Sequence, residues 1–192
     1  MMPSRVAVIR RGLEFSDLIA AQAEAHRLDP WIVFAVCCQE SACNPAALRP
    51  EPGFWLRYGA NVLRAIAASA TRTDDRWAAY PEIASASYGL MQVMYPVALE
   101  VGLVLAYPTE LCVPAIGLEA GCRKLAQCFD RVPTIGSGLV TIQPIEMALQ
   151  WYNGGGNKLY PSLVRSWSDD AMRSGLLPTG WGVRATPTVT PS

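Results

Sequence analysis

Asp29-Pro30-Trp31-Ile32-Val33-Phe34-Ala35-Val36-Cys37-Cys38-Gln39-Glu40-Ser41-Ala42-Cys43-Asn44-Pro45 reads as a helix that is apolar on every side and ends with one carboxylate. Asp29 offers a side-chain acceptor to the first-turn N–H groups, and Pro30 fits the first helical position, where its missing donor costs nothing. From Trp31 to Cys38 no residue is charged, which is the pattern of a helix buried all round. Glu40 follows Cys37, Val36 and Val33 by three, four and seven residues, so it lies on a stripe that is otherwise hydrophobic. Asn44-Pro45 is expected to close the helix just beyond it. Removal from water and the negative end of the helix dipole both disfavour a carboxylate there, so the pKa is expected to rise and the group to suit general acid chemistry. The competing reading is a helix-end glutamate that bends out to solvent.

The 192 residues fit one domain with a substantial core. Sixteen basic and sixteen acidic residues cancel, so net charge does not favour nucleic acid or anionic lipid as a partner. Apolar residues make up 51% and charged ones 17%, a balance that excludes a disordered chain. No apolar run approaches the roughly 20 residues of a membrane span, and Val6 to Ile9, among Arg5, Arg10 and Arg11, is too short for a signal-peptide core. The six cysteines, Cys37, Cys38, Cys43, Cys112, Cys122 and Cys128, follow no zinc spacing, and His26 is the single histidine, so no metal site is expected. Cys37 and Cys38 are expected to pack as small hydrophobes, and the thiols to be reduced.

Outward from the Glu40 helix, the chain alternates helices with proline- and glycine-rich breaks. A first helix is expected from Ser16 or Asp17 through Leu18 to Arg27, a structured loop over Arg49 to Gly59, and a helix over Asn61 to Ala70. Thr71 to Ser87 is polar and irregular, the place for any small hairpin. Tyr88 to Met94 is expected to start a helix interrupted near Pro96. Pro114 opens a long helix to about Arg131, Pro144 one to Trp151, and Pro161 a last one through Trp167, with Asn153-Gly154-Gly155-Gly156-Asn157 as a strong breaker. The Pro/Thr-rich end, Thr186 to Ser192, is expected to be mobile. Nothing repeats internally and no large sheet is indicated. The expected fold is a mainly α, compact single helical domain with at most a small hairpin, residues 15–168, between an extension at 1–14 and another at 169–192.

The chemistry available is narrow. His26 sits alone in a charged segment, and Gly154-Gly155-Gly156 lacks the Lys-Ser/Thr continuation of a phosphate-binding loop. Carboxylate acid/base chemistry remains. Three spaced segments then carry a resemblance: Glu40-Ser41-Ala42 with Asn44-Pro45, Gly89-Leu90-Met91-Gln92, and Trp151-Tyr152-Asn153-Gly154-Gly155. In order and spacing they resemble the motifs of the soluble lytic transglycosylase catalytic domain, of the goose-type lysozyme-like fold in the lysozyme-like α+β superfamily, over roughly residues 15 to 168. Glu51-Pro52-Gly53-Phe54-Trp55 and Tyr152 to Pro161 look like phage-encoded members in particular.

The resemblance implies that Glu40 is the single catalytic acid/base and that Ser41 fixes the local backbone and the carboxyl. It implies that Gln92 reaches the cleft and binds a sugar N-acetyl group as donor and acceptor at once. Met91 would pack under the site, Tyr152 would orient Glu40 through its hydroxyl, and Asn153 with Gly154 would turn the chain so that the tyrosine faces the cleft. Read without the resemblance, Met91 and Leu90 are core residues and Asn153-Gly154 is a helix stop. Three departures stand out. Ala86-Ser87-Tyr88 precedes Gly89 where the family has a Gly-Ala pair. Trp151 stands where it has Ala. The long segment Arg49 to Ser87 leaves the family's substrate-contacting serine unplaced, with Ser85 and Ser87 as candidates.

The implied reaction is cleavage of the β-1,4 bond between N-acetylmuramic acid and N-acetylglucosamine in peptidoglycan, assisted by the substrate's acetamido group and closed by attack of the muramic acid C6 hydroxyl to give a 1,6-anhydro end. No cofactor or metal is called for. The expected partners are peptidoglycan glycan strands, with no nucleic acid and no membrane span, and the chain is expected to be a monomer. The chain is expected to be made in the cytoplasm and to reach the wall by phage lysis or on a virion. Two alternatives stay open: a hydrolase (muramidase) of the same fold, with Asp74, Asp75 or Glu82 as its second carboxylate, and a non-catalytic glycan-binding or virion structural domain.

Overall fold

The computed structural model describes residues 3–54, 56–57, 59, 61, 83, 85–132, 144–178 and 181. The expected helix over 61–70, the carboxylates Asp74, Asp75 and Glu82, and the tail from Thr186 fall wholly or almost wholly outside them. Three helices come first: α1 (Arg5–Gly12), α2 (Ser16–Ala25) and α3 (Pro30–Ser41). Asp29 Oδ1 accepts the Trp31 N–H at 2.8 Å, so α3 starts as its cap and proline dictate. Every residue from Trp31 to Cys38 is buried, and α3 packs on α1, on α2 and on the last helix. At about 1.5–3 kcal/mol for each large apolar side chain removed from water, this one helix supplies much of the drive for folding.

Strands of two residues each follow: β1 (Leu48–Arg49), β2 (Ser87–Tyr88) and β3 (Val93–Met94), antiparallel in the order β1-β2-β3. Arg49 pairs with Ser87, and Ser87 with Met94. The helix expected over Tyr88 to Met94 is therefore a strand, a turn and a strand. Gly89 (φ 72°) and Gln92 (φ 49°) take left-handed backbone that no helix admits. Pro96 does not interrupt a helix but starts one, α4 (Tyr95–Glu100), from its first turn. A 3-10 turn, Pro108–Cys112, leads into α5 (Pro114–Asp130). One face of α5 is buried through Gly117, Leu118, Gly121, Cys122, Leu125 and Cys128, at helical spacing.

Then come α6 (Pro144–Tyr152) and α7 (Tyr160–Ser174). The end of α6 is a Schellman stop: Gly155 N–H donates to Gln150 O at 2.9 Å and Gly154 N–H to Trp151 O at 3.0 Å, both glycines having positive φ. α7 buries Tyr160, Val164, Ser168 and Ala171 against α3 and runs about two turns further than expected, to a left-handed Gly175.

The described parts of the end segments, expected as extensions, pack into the same core. Val8, Ile9 and Gly12 of α1 are buried, and a side chain on Gly12 would strike the Phe34 ring. Arg5 lies over the Trp167 ring, 3.8 Å from its centroid, and pairs with Asp170. Beyond α7, Trp181 packs edge-on against Trp31 and Phe34, and its carbonyl accepts Trp31 Nε1–H at 2.7 Å. The six cysteines are free thiols, and Cys38 and Cys43 lie 3.5 Å apart, sulfur to sulfur.

Candidate active site

α3 stops abruptly after Ser41. Asn44-Pro45, expected to close it, lies beyond the stop, which is made by two successive left-handed residues, Ala42 (φ 52°) and Cys43 (φ 56°). The Cys43 N–H returns to Cys37 O at 3.1 Å, and Arg11 Nη1 donates to Ala42 O at 3.1 Å. Non-glycine residues in this region cost roughly 1–2 kcal/mol each, borne by a buried Cys43 and the α1 contact. Asn44 takes up a separate task, its Oδ1 accepting the Ala46 N–H at 3.1 Å.

The turn Gly89 to Gln92 is where the three spaced segments meet. Ser41 Oγ–H is 2.8 Å from Leu90 O and 3.1 Å from Cys37 O, tying the end of α3 to the turn. Tyr152 O–H donates to Met91 O at 2.8 Å, tying α6 to it. Gln92 Nε2 donates to Gly89 O at 3.0 Å and to Ala47 O at 3.1 Å, and Ala47 O also accepts the Gly89 N–H at 2.9 Å. Each carbonyl from Gly89 to Met91 thus accepts from a side chain of one of the three motifs. Gly89 itself lies against the Leu111 carbonyl, and Met91 is fully buried against Gly121 of α5.

Glu40, the neighbour of Ser41 at the end of α3, has its side chain 7% exposed. The hydroxyl of Tyr160 donates to Glu40 Oε1 at 2.6 Å. This corrects the expectation for Tyr152, whose proton goes to Met91 O; Tyr152 lies close enough for the Glu40 charge to bear on its own titration. Tyr160 was missed because it precedes a proline at a loop-helix junction. The available signal was its place on the Tyr160, Val164, Ser168, Ala171 stripe, which makes it a buried phenol in need of a partner. Gln39 beside Glu40 is held by Trp167 Nε1–H at 3.1 Å, which fixes α7 along α3.

The electrostatics follow from burial. Loss of water raises the Glu40 carboxyl above its ordinary range; the Tyr160 hydrogen bond and the Arg49 charge pull the other way, and Glu51 adds to the rise. Burial first, then the Glu40 charge, push both Tyr152 and Tyr160 upward, so each phenol keeps the proton that it donates. Arg49 Nη2 lies 4.0 Å from Glu40 Oε2.

Other predicted residues fall as follows. Gln92 spends its donors on backbone, so what it can offer a ligand is an acceptor alone. Ser85 and Ser87 are both buried, and Ser87 Oγ–H turns to Glu51 at 3.3 Å. Asn153 is half-buried in the helix stop, its N–H bonded to Leu149 O at 3.2 Å. His26, at the end of α2, meets Glu119 of α5 at 3.0 Å.

Ser41 beside the buried Glu40, and Tyr152 of α6, both hydrogen-bond to carbonyls of the Gly89 to Gln92 turn. Residues 17–167 match the family model described as the transglycosylase SLT domain. The chain belongs to that family. No curated protein and no solved structure shows significant similarity to it. Membership makes this a lysozyme-like SLT domain, of a family of peptidoglycan lytic transglycosylases, and peptidoglycan is the substrate that it implies. The match begins in α2, so α1 is a part of this domain's core that the family model does not span. Among the described residues no helix is long and apolar enough to cross a membrane.

Proposed function

We propose that this SLT domain cleaves the β-1,4 bond between N-acetylmuramic acid and N-acetylglucosamine with Glu40 as its single acid/base, leaving a 1,6-anhydromuramic acid end. The observation that carries this is the division of labour at the Glu40 carboxyl. Oε1 is taken by Tyr160 at 2.6 Å, so the mobile proton belongs on Oε2. Burial favours the protonated form at rest. Oε2–H protonates the glycosidic oxygen as the C1–O bond breaks, while the acetamido oxygen of the substrate stabilises C1. The C6 hydroxyl then attacks C1 and returns its proton to Oε2. The Gln92 acceptor suits the N–H of an N-acetyl group at this position. Mass spectrometry of digested peptidoglycan tests the reading. Anhydro ends support it, and reducing ends replace it with hydrolysis.

Hydrolysis needs a second carboxylate to direct water. Among the described residues Glu51 is the acidic group that bears electrically on Glu40, but its Oε1 is already engaged by Arg49 Nε–H at 2.6 Å and by Ser87 Oγ–H at 3.3 Å. A carboxylate so occupied is better placed to hold Arg49 than to activate water. Binding of glycan without turnover would favour a non-catalytic domain instead.

A further inference from the structure

We infer that Arg49, clamped by Glu51 and Ser87, is a positioning residue that stabilises the carboxylate formed when Glu40 releases its proton. This rests on the reading of Glu40 as acid and then base. The geometry is a chain of four side chains. Ser87, 3% exposed, donates to Glu51 Oε1; Glu51 Oε1 accepts Arg49 Nε–H at 2.6 Å; and Arg49 Nη2 faces Glu40 Oε2 at 4.0 Å. Arg49 and Ser87 are direct partners in the β1–β2 register, so the small sheet sets the guanidinium in place.

The gap is informative. At 4.0 Å Arg49 makes no hydrogen bond to Oε2, which leaves that atom free to hand its proton to a leaving group. Charge still acts over that distance, and more strongly because one partner is 7% exposed. The groups facing Glu40 from its other neighbours are Tyr160 of α7, Tyr152 of α6 and Cys37 of α3, all raised by burial and therefore neutral in ordinary buffers. Arg49 and Glu51 are the charges left to act on it among the described residues, with opposite signs.

The test uses the full chain and the variants Arg49→Gln, Arg49→Lys and Glu51→Gln. Arg49 is 54% exposed on its side chain, so the substitutions are tolerated, as circular dichroism would verify. Two readouts are taken: the pH profile of peptidoglycan turnover, and titration of the Glu40 carboxyl by carbon NMR, assigned by its loss in Glu40→Gln. Arg49→Gln is expected to lower kcat about tenfold with KM little changed. It should move the Glu40 titration, and with it the alkaline limb of the rate profile, to higher pH. Arg49→Lys restores most of the rate, and Glu51→Gln moves the titration to lower pH. A Glu40 titration that stays put, or moves to lower pH, in Arg49→Gln overturns the inference. If the unaltered protein cleaves nothing while both titrations move as described, the electrostatic clamp stands and the transglycosylase reading fails.

Discussion

Tyr160 and Glu40, 120 residues apart in sequence, share a 2.6 Å hydrogen bond at the junction of α7 and α3. Tyr152, eight residues earlier, takes the other structural task and braces the Met91 carbonyl. The two tyrosines are thus expected to fail differently. A hydrogen bond to a charged group contributes about 1.5–3 kcal/mol, so Tyr160→Phe should slow cleavage roughly ten- to hundredfold. It should also shift the Glu40 titration to higher pH, since the lowering contribution of Tyr160 is lost. Tyr152→Phe strands a backbone acceptor beneath the site and should cost about 1–3 kcal/mol of stability while leaving the Glu40 titration nearly where it was. Rate profiles beside urea melts separate them.

Glu40→Gln keeps the shape and removes the transferable proton. Turnover should fall on the order of 100- to 10,000-fold, with glycan binding retained in a pull-down on insoluble peptidoglycan. Stability should move the other way. The folded pKa of Glu40 lies above its ordinary value of 4.5, so between those two values the folded state holds more protons than the unfolded one. Stability contributed by the group is therefore lost as pH rises through that window. Glu40→Gln should match the unaltered protein in acid and melt at a higher temperature at neutral pH; an equal or lower Tm at pH 7 would contradict the burial argument.

Gly89→Ala and Gly154→Ala form a matched pair with nearly the same φ, 72° and 73°. At Gly154 an added Cβ meets nothing within 4 Å, so the cost is the conformation alone, about 1–2 kcal/mol. At Gly89 it drives into the Leu111 carbonyl, which is backbone and cannot swing aside. That variant should lose more than about 2 kcal/mol and shift the turn that carries Gln92. Equilibrium unfolding gives the first number and turnover the second.

Asp74→Asn, Asp75→Asn and Glu82→Gln should each leave cleavage within about tenfold, or 1.4 kcal/mol of barrier, and keep the anhydro product. Reducing ends together with a collapse in one of these variants would move the protein to the hydrolases.

Much of the fold was legible because its signals are local. The Asp29-Pro30 cap and the uncharged run to Cys38 specify α3, and Pro114 and Pro144 mark the starts of α5 and α6 through fixed φ and a missing donor. The end of α6 could be read from Gly154 and Gly155 for the same reason. Strands of two residues carry no periodicity, so Tyr88 to Met94, apolar but for Gly89 and Gln92, read as helix until the positive φ of Gly89 and Gln92 closed a turn instead.

By itself, then, the sequence determined that a carboxyl ends a buried helix and that three different short motifs stand in the order of the SLT family. The tertiary structure decided the partners. Tyr160 rather than Tyr152 meets Glu40, Ser41 and Tyr152 hold the second motif's carbonyls, and Arg49 with Glu51 supplies the nearby charges. The physical reason is reach. Caps, helix stops and apolar stripes are settled by residues within a few positions of one another. A hydrogen bond of 2.6 Å or an ion pair of 4.0 Å between distant segments depends on how α7 and β1 are docked on α3, and that docking is set by the packing of the whole core.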